Sequence, residues 1–225
     1  MQLTGLFITG TDTGVGKTFV TSAIARRLTA RRWQVAAVKP AESGCEEGPN
    51  GLIAADAEAI AVAAGDWQPQ NARCLYRMRA ALAPGVAARA EGVAVDLSVC
   101  AAFVASAAAR ADLVLVEGAG GWRVPLDRGD GTIADLAKRL QLPVVIVGRG
   151  GLGTINHSVL TAETVQRDGC TVGAIVLSVR PDEDLQAANA NAAEIARMVP
   201  GARVAVMRTA SDLDALLDHF TWNAR

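Results

Sequence analysis

The residues best placed to do chemistry are two lysines, a threonine-rich turn and one carboxylate at the end of an apolar run. The turn reads Thr9-Gly10-Thr11-Asp12-Thr13-Gly14-Val15-Gly16-Lys17-Thr18 and joins a short apolar run to an amphipathic one. Backbone N–H groups of Thr13, Gly14, Val15, Gly16, Lys17 and Thr18, with the helix N-terminus that follows, would cradle phosphate oxygens. Lys17 adds a mobile positive charge for the β- and γ-phosphates, and the Thr18 hydroxyl is a magnesium ligand by type. The pattern is irregular by one residue. Where G-x-x-x-x-G-K-[ST] puts its first glycine this chain has Thr11, and Gly10 comes one position earlier. Strand before, helix after and Gly-Lys-Thr at the end predict a nucleoside triphosphate site.

Lys39 ends a second apolar run, in Lys39-Pro40-Ala41-Glu42-Ser43-Gly44. Open α/β sheets bind ligands where their parallel strands end, so Lys39 is expected in one site with Lys17. A lysine with a buried stem and a surface tip is the bland alternative. Glu117 closes Val114-Leu115-Val116 and is followed by Gly118-Ala119-Gly120-Gly121. A carboxylate there is placed to hold magnesium directly or through water, and the glycines let backbone approach a ligand. A solvated acid competes with this reading, although Glu is disfavoured inside strands.

These residues need elements to hold them. Apolar, β-branched runs at residues 6–10, 34–39, 112–117, 143–148, 172–178 and 203–207 predict strands. Helical periodicity is expected at 17–32, 53–64, 97–110, 132–140, 154–167, 184–198 and 211–220. Continuous apolar strands alternating with helices predict an α/β fold, a doubly wound and mainly parallel sheet with helices on both faces. Residues 66–96, with Pro69, Pro84 and Gly85, read as loops over the site. Residues 1–225 are expected to form a single domain, without linker or repeat.

The charge balance, 22 Lys+Arg against 23 Asp+Glu, gives no basic footprint, so no nucleic-acid partner is expected. At 51% hydrophobic residues the chain can bury a sizeable core, which excludes general disorder. No apolar run reaches the ~20 residues of a membrane span, and the first residues lack the basic start of a secretory signal. Cys45, Cys74, Cys100 and Cys170 are widely spaced and read as reduced thiols without a metal role, which suggests the cytoplasm.

Taken together the motifs resemble the dethiobiotin synthetase family. The matching pieces are Gly10 to Thr18, Lys39 to Gly44 and Val116 to Gly121, then Leu142-Pro143-Val144 and Leu152-Gly153-Thr154-Ile155-Asn156-His157. They keep the family's order over residues 5–178, and the family's loop also has Thr where the first glycine would stand. The resemblance implies an ATP- and magnesium-dependent ligase joining carbon dioxide or bicarbonate to 7,8-diaminononanoate, through a carbamate and a carbamic–phosphoric anhydride. It implies that Lys17, Lys39 and Thr13 serve the phosphoryl group and the carbamate, with Glu117, Gly118, Ala119 and Gly120 beside the nucleotide. Thr18, Asp56 and Glu117 would hold magnesium, and Ser43 would bind the carbamate end of the substrate. Asp56 is carried over from the family; spacing alone would make it a helix-surface acid. The resemblance further implies a homodimer, with the substrate carboxylate at a helix N-terminus formed by Gly151, Leu152, Gly153, Thr154 and Asn156. Thr154 is expected to cap that helix, and His157 to be structural.

The chain departs from the family in places. Gly14 replaces an acid that several members carry, and Pro84-Gly85 stands where many have Pro-His. After Val176 comes Leu177-Ser178-Val179, without the Asn that reads adenine, so nucleoside triphosphates other than ATP are expected to be accepted. Trp122 and Arg123, after the glycine run, are candidates to border the substrate. Two other phosphate-loop classes compete. An amidoligase that carries a glutaminase domain finds no room for it here. A partitioning-type switch ATPase would have a lysine where this chain has Asp12, and would bind DNA or membrane.

Overall fold

Six parallel strands, Arg203–Met207, Val172–Ser178, Val144–Arg149, Gly5–Gly10, Leu113–Gly121 and Val35–Val38 in spatial order, carry the molecule in the computed structural model, which describes residues 3–220 and 222. In chain order the elements begin with β1 (Gly5–Gly10), α1 (Lys17–Ala30) and β2 (Val35–Val38). A small insertion follows: β3 (Ala41–Ser43), β4 (Glu46–Gly48), β5 (Gly51–Ile53), α2 (Ala55–Ala63), β6 (Tyr76–Met78) and α3 (Pro84–Glu91). The alternation then resumes with α4 (Leu97–Ala108), β7 (Leu113–Gly121), α5 (Ile133–Leu140), β8 (Val144–Arg149) and α6 (Thr154–Arg167). It closes with β9 (Val172–Ser178), α7 (Leu185–Met198), β10 (Arg203–Met207) and one helical turn, α8 (Asp214–Leu217).

Every residue of β1 and β2 is buried, as a sheet covered on both faces demands. Successive side chains alternate between faces. Phe7, Val114, Val116 and Ile146 join the core under α4, α5, α6 and α7, while Leu6, Ile8, Leu115 and Val145 join the one under α1 and α2. Gly5 lies where a Cβ would stand 1.9 Å from the Val114 carbonyl oxygen, so β1 and β7 depend on a bare backbone at their start.

The six expected main strands and the α/β class are present, and four local expectations need correction. The helix read from residue 53 begins at Ala55, because Gly51–Ile53 instead pairs antiparallel with Glu46–Gly48. Residues 66–96 hold β6 and α3 as well as loops; β6 pairs in parallel with β3. β7 runs past Glu117 to Gly121, which pairs with Gly10 beyond a register shift. Residues 211–220 form no full helix: a 3-10 turn (Ala210–Leu213), boxed by Thr209 and Asp212, leads into α8. There Asp214 is drawn to Arg27 and Arg31. All four cysteines are free, and Cys45, Cys74 and Cys100 are buried.

α5 carries a capping box in which Asp135 accepts from the Thr132 N–H at 2.9 Å and hydroxyl at 2.7 Å. Burial works to raise the Asp135 pKa, but these bonds and Lys138 reverse that and hold it at about 2, against an ordinary 3.8. A depressed native pKa contributes stability above the unfolded value and loses it as pH falls through the native one. Asp135→Asn is therefore expected to lower stability at pH 6, with the gap to wild type closing between pH 4 and 2; denaturant midpoints across that range check it.

Candidate active site

β1, β7 and β2 are neighbours, so the loops that leave their C-terminal ends share one mouth. That mouth opens on a cavity of about 590 Å³. The loop between β1 and α1 gives it Thr13, Gly14 and Gly16, and the first turn of α1 Lys17 and Thr18; Lys39 follows β2, Ser43 ends β3, and Ala119 and Gly120 come from β7. Asp56, on the first turn of α2, faces the same space.

The irregular loop has a steric reason. A Cβ on residue 10 would stand 2.7 Å from the Asp12 carbonyl oxygen and 3.0 Å from Lys17 Nζ, so the glycine is needed there, one position early. Gly14 and Gly16 adopt φ of +70° and +95°, and a Cβ on Gly16 would meet Ser178 Oγ at 2.6 Å. Gly16 is also the N-cap of α1, and no side chain takes the first N–H groups of that helix. Such a terminus favours an anion. Val15 is packed into the core, so it can serve a phosphate only through its backbone.

Lys17 and Lys39 are buried cations in one cavity, and acids compensate them. Lys17 donates to the Asp12 carbonyl oxygen at 3.1 Å. Its pKa is lowered, chiefly by burial and further by Lys39, with Glu117 opposing. Lys39 pairs with Asp56 and stands 3.2 Å from Glu117 Oε1. Burial alone would lower its pKa, but Glu117, Asp56 and Glu42 outweigh that and raise it, so Lys39 stays charged. Asp56, despite its own burial, is lowered by Lys39. Glu117 does not line the cavity; it sits 1% exposed behind it, accepting from Thr18 Oγ1 at 2.9 Å and Thr21 Oγ1 at 2.8 Å. Gly118 is also set back, against Ile133.

The hydroxyl of Thr18 and the carboxylates of Asp56 and Glu117 are hard oxygen donors brought together by Lys39 and Thr18. That donor chemistry fits magnesium, which is typically held by one or two carboxylates and completed by substrate phosphates and water. Among the described residues no group of three or more His, Cys, Asp or Glu is arranged to hold a metal unaided.

Other expected residues lie elsewhere. Gly151, Leu152, Gly153, Thr154 and Asn156 fall outside the cavity, and Leu152 is fully exposed. Thr154 does not cap α6: Gly153, at φ +90°, is the N-cap, and the buried Thr154 hydroxyl turns toward Ser158 at 3.5 Å. Trp122 and Arg123 do not border the cavity. The Trp122 indole N–H and Arg123 Nη2 donate to Asp168 at 2.7 and 2.8 Å, and the Trp122 ring meets Phe7 edge-on. Beside the phosphate loop, β9 ends in Ser178, and the buried Val179 follows with its N–H on the Met207 carbonyl. Arg208 donates to the carbonyl of Glu183.

Sequence reasoning missed Thr21, which reads as an ordinary helix residue but holds Glu117. It also missed Glu42, an acid in a strand, which was a signal in itself. The expected loops over the site reach it at Ala81 to Pro84, and the Leu82 carbonyl accepts from Ser43 Oγ at 2.6 Å.

Loop, lysines and parallel sheet define a phosphate-loop nucleoside triphosphate-binding protein, and the model of the AAA domain family matches residues 4–215. The signal recognition particle receptor FtsY from Elizabethkingia anophelis shares the fold, with a TM-score of 0.52 at 14% identity, covering 95% of this chain and 62% of that one. The ATP-dependent dethiobiotin synthetase BioD of Anaeromyxobacter dehalogenans strain 2CP-C is 47% identical over 86% of this chain and 85% of its own. The enzyme of the same name from Anaeromyxobacter sp. strain Fw109-5 is 43% identical over 95% of both. The chain belongs to the dethiobiotin synthetase family.

Thr21→Val keeps the shape of the buried side chain but strips Glu117 Oε2 of its donor. A hydrogen bond to a charged group contributes about 1.5–3 kcal/mol, so a stability loss of that order is expected in urea titrations.

Proposed function

We infer that this chain closes the cyclic urea of dethiobiotin from 7,8-diaminononanoate and carbon dioxide, consuming ATP and releasing ADP and phosphate. The observation that carries this reading is the convergence of Lys17, Lys39 and Ser43 on one cavity beside a phosphate loop. No side chain there is set up as a covalent nucleophile with its base. The charges suit phosphoryl transfer instead, which needs cations where negative charge develops and reactants held in line.

One amine of the substrate, in its neutral form, attacks carbon dioxide and gives up a proton to water, leaving a carbamate whose negative charge would rest against Lys39 and the Ser43 hydroxyl. The carbamate oxygen attacks the γ-phosphorus, and the bond to the bridging oxygen of ADP breaks. Lys17, on the first turn of α1, would meet the charge on the transferring group, and Thr13 would support it from the loop. The second amine then attacks the carbonyl carbon of the carbamic–phosphoric anhydride, expels phosphate and gives up a proton. Thr18, Asp56 and Glu117 would hold magnesium, which when bound neutralises charge on the phosphate oxygens. Val15, Gly16, Gly118, Ala119 and Gly120 would complete the nucleotide's surroundings.

The finer reading concerns assembly and place. Gly151, Leu152, Gly153, Thr154 and Asn156 would seat the substrate carboxylate from the partner of a homodimer, which their distance from the cavity and the exposure of Leu152 support. Residues 1–225 act as one catalytic domain in the cytoplasm, without a membrane or nucleic-acid partner; no described helix is long and apolar enough to cross a bilayer. With Ser178 and Val179 in place of an amide side chain, nucleotides other than ATP would be accepted.

Phosphate release with ATP, magnesium and bicarbonate is expected to depend on the diamine, with dethiobiotin found by mass spectrometry. Release without diamine, stimulated by DNA or lipid, would overturn the reading. A purine and pyrimidine triphosphate panel is expected to show turnover beyond ATP, and strict ATP dependence would sink that part. Lys39→Ala is expected to cut kcat by about 10²–10³-fold while nucleotide binding, read by fluorescence titration, stays within a few-fold. Equal loss of both would make Lys39 a binding residue only.

A further inference from the structure

α2 begins without a cap of its own. Its N-cap is Ala54, which has no side-chain acceptor, so the first N–H groups of the helix need partners from elsewhere. In α4 and α7 the N-cap aspartates, Asp96 and Asp184, accept from the second and third helical N–H groups, as capping residues do. In α2 the same two groups, on Asp56 and Ala57, donate at 2.9 Å each to Oε1 and Oε2 of Glu42. Glu42 lies on β3, is only 5% exposed and does not line the cavity. Both its oxygens are committed to α2. It stands between Lys39 and Ser43 in sequence, so the strand that leads from the lysine to the substrate-side hydroxyl also holds the helix that carries Asp56.

We propose that Glu42 is a positioning residue of the reaction: it is the N-terminal cap that α2 lacks, and through that cap it fixes Asp56 against Lys39. A borrowed cap ties two otherwise separate pieces of chain. Without it the first turn of α2 has two buried N–H groups unpaired, and the Asp56 carboxylate loses the backbone that aims it at Lys39 Nζ. The inference rests on the phosphoryl-transfer reading only for its effect on rate; the cap itself is a matter of geometry.

The test uses the full chain with Glu42→Ala, Glu42→Gln, and Glu42→Ala combined with Ala54→Ser. Serine at residue 54 supplies a local acceptor for the same two N–H groups. Amide hydrogen exchange by NMR, at Asp56 and Ala57, reads the cap without reference to activity. Both amides are expected to exchange at least about 10-fold faster in Glu42→Ala, beyond any global change, and to recover in the double variant. With ATP, magnesium, bicarbonate and diamine saturating, kcat is expected to fall about 10–100-fold while KM for ATP stays within a few-fold, and the Ala54→Ser addition is expected to restore most of kcat. Glu42→Gln, with one acceptor oxygen left, is expected between the two and serves if Glu42→Ala does not fold. Exposed amides with undiminished kcat would overturn the proposal, as would a loss of kcat that a restored cap does not repair, since Glu42 would then act by charge. Wild-type protein that makes no dethiobiotin would overturn the proposed function instead, leaving the exchange result to decide the cap.

Discussion

The site depends on charge compensation around two buried lysines. Taking an ammonium group out of water is costly unless acids and hydrogen bonds replace the water. Here Lys39 is met by Asp56 and Glu117, with Glu42 close behind, and Glu117 is in turn held by Thr18 and Thr21. Each acid comes from a different part of the chain: Glu42 from β3, Asp56 from α2, Glu117 from β7. A cluster of that kind can form only when the sheet and the small insertion are both in place, so the chemistry reports on the whole fold. Lys17, by contrast, has no carboxylate within ion-pair reach among the described residues and donates to the Asp12 backbone carbonyl.

The parallel sheet supplies the coincidence of positions. Because β1, β7 and β2 are adjacent and parallel, their C-terminal residues must emerge together, and the loop of β1, the lysine after β2 and the carboxylate in β7 meet without any special device. The glycines near this edge then decide how close backbones can come. Gly10 and Gly16 each stand where a Cβ would collide with the loop or with Ser178, so the turn is narrow enough for N–H groups to converge.

Much of this was legible in the sequence because two periodicities and one loop pattern carried it. The strands were continuous apolar runs, and the turn that ends in Gly16-Lys17-Thr18 sat between a strand and a helix, so fold, Lys17 and Thr18 followed from local patterns. What Glu42 and Thr21 hold follows no local pattern, although an acid inside a strand was itself a signal. Their roles come from partners far along the chain: Glu42 bonds to residues 14 and 15 positions away, and Thr21 to one 96 away. Asp56 was reached only by resemblance for the same reason, since a first-turn acid looks solvated until Lys39 is placed against it. Trp122 and Arg123 do not line the cavity, because sequence cannot show which way a side chain turns after a glycine run; Asp168, at the end of α6, accepts from both.

Pro84-Gly85, where many family members have Pro-His, also finds its reason in packing. The Gly85 N–H donates to the Pro125 carbonyl at 2.8 Å, and a Cβ there would stand 2.4 Å from the Asp127 carbonyl oxygen. In this chain the start of α3 is thus pressed backbone to backbone against the segment after β7. A histidine could enter only by pushing α3 away, and Ala83 and Pro84 would move with it out of the cavity wall. The side chain is not simply missing; the close approach that replaces it holds the wall opposite the phosphate loop, with the Ser43-to-Leu82 bond fastening its other end.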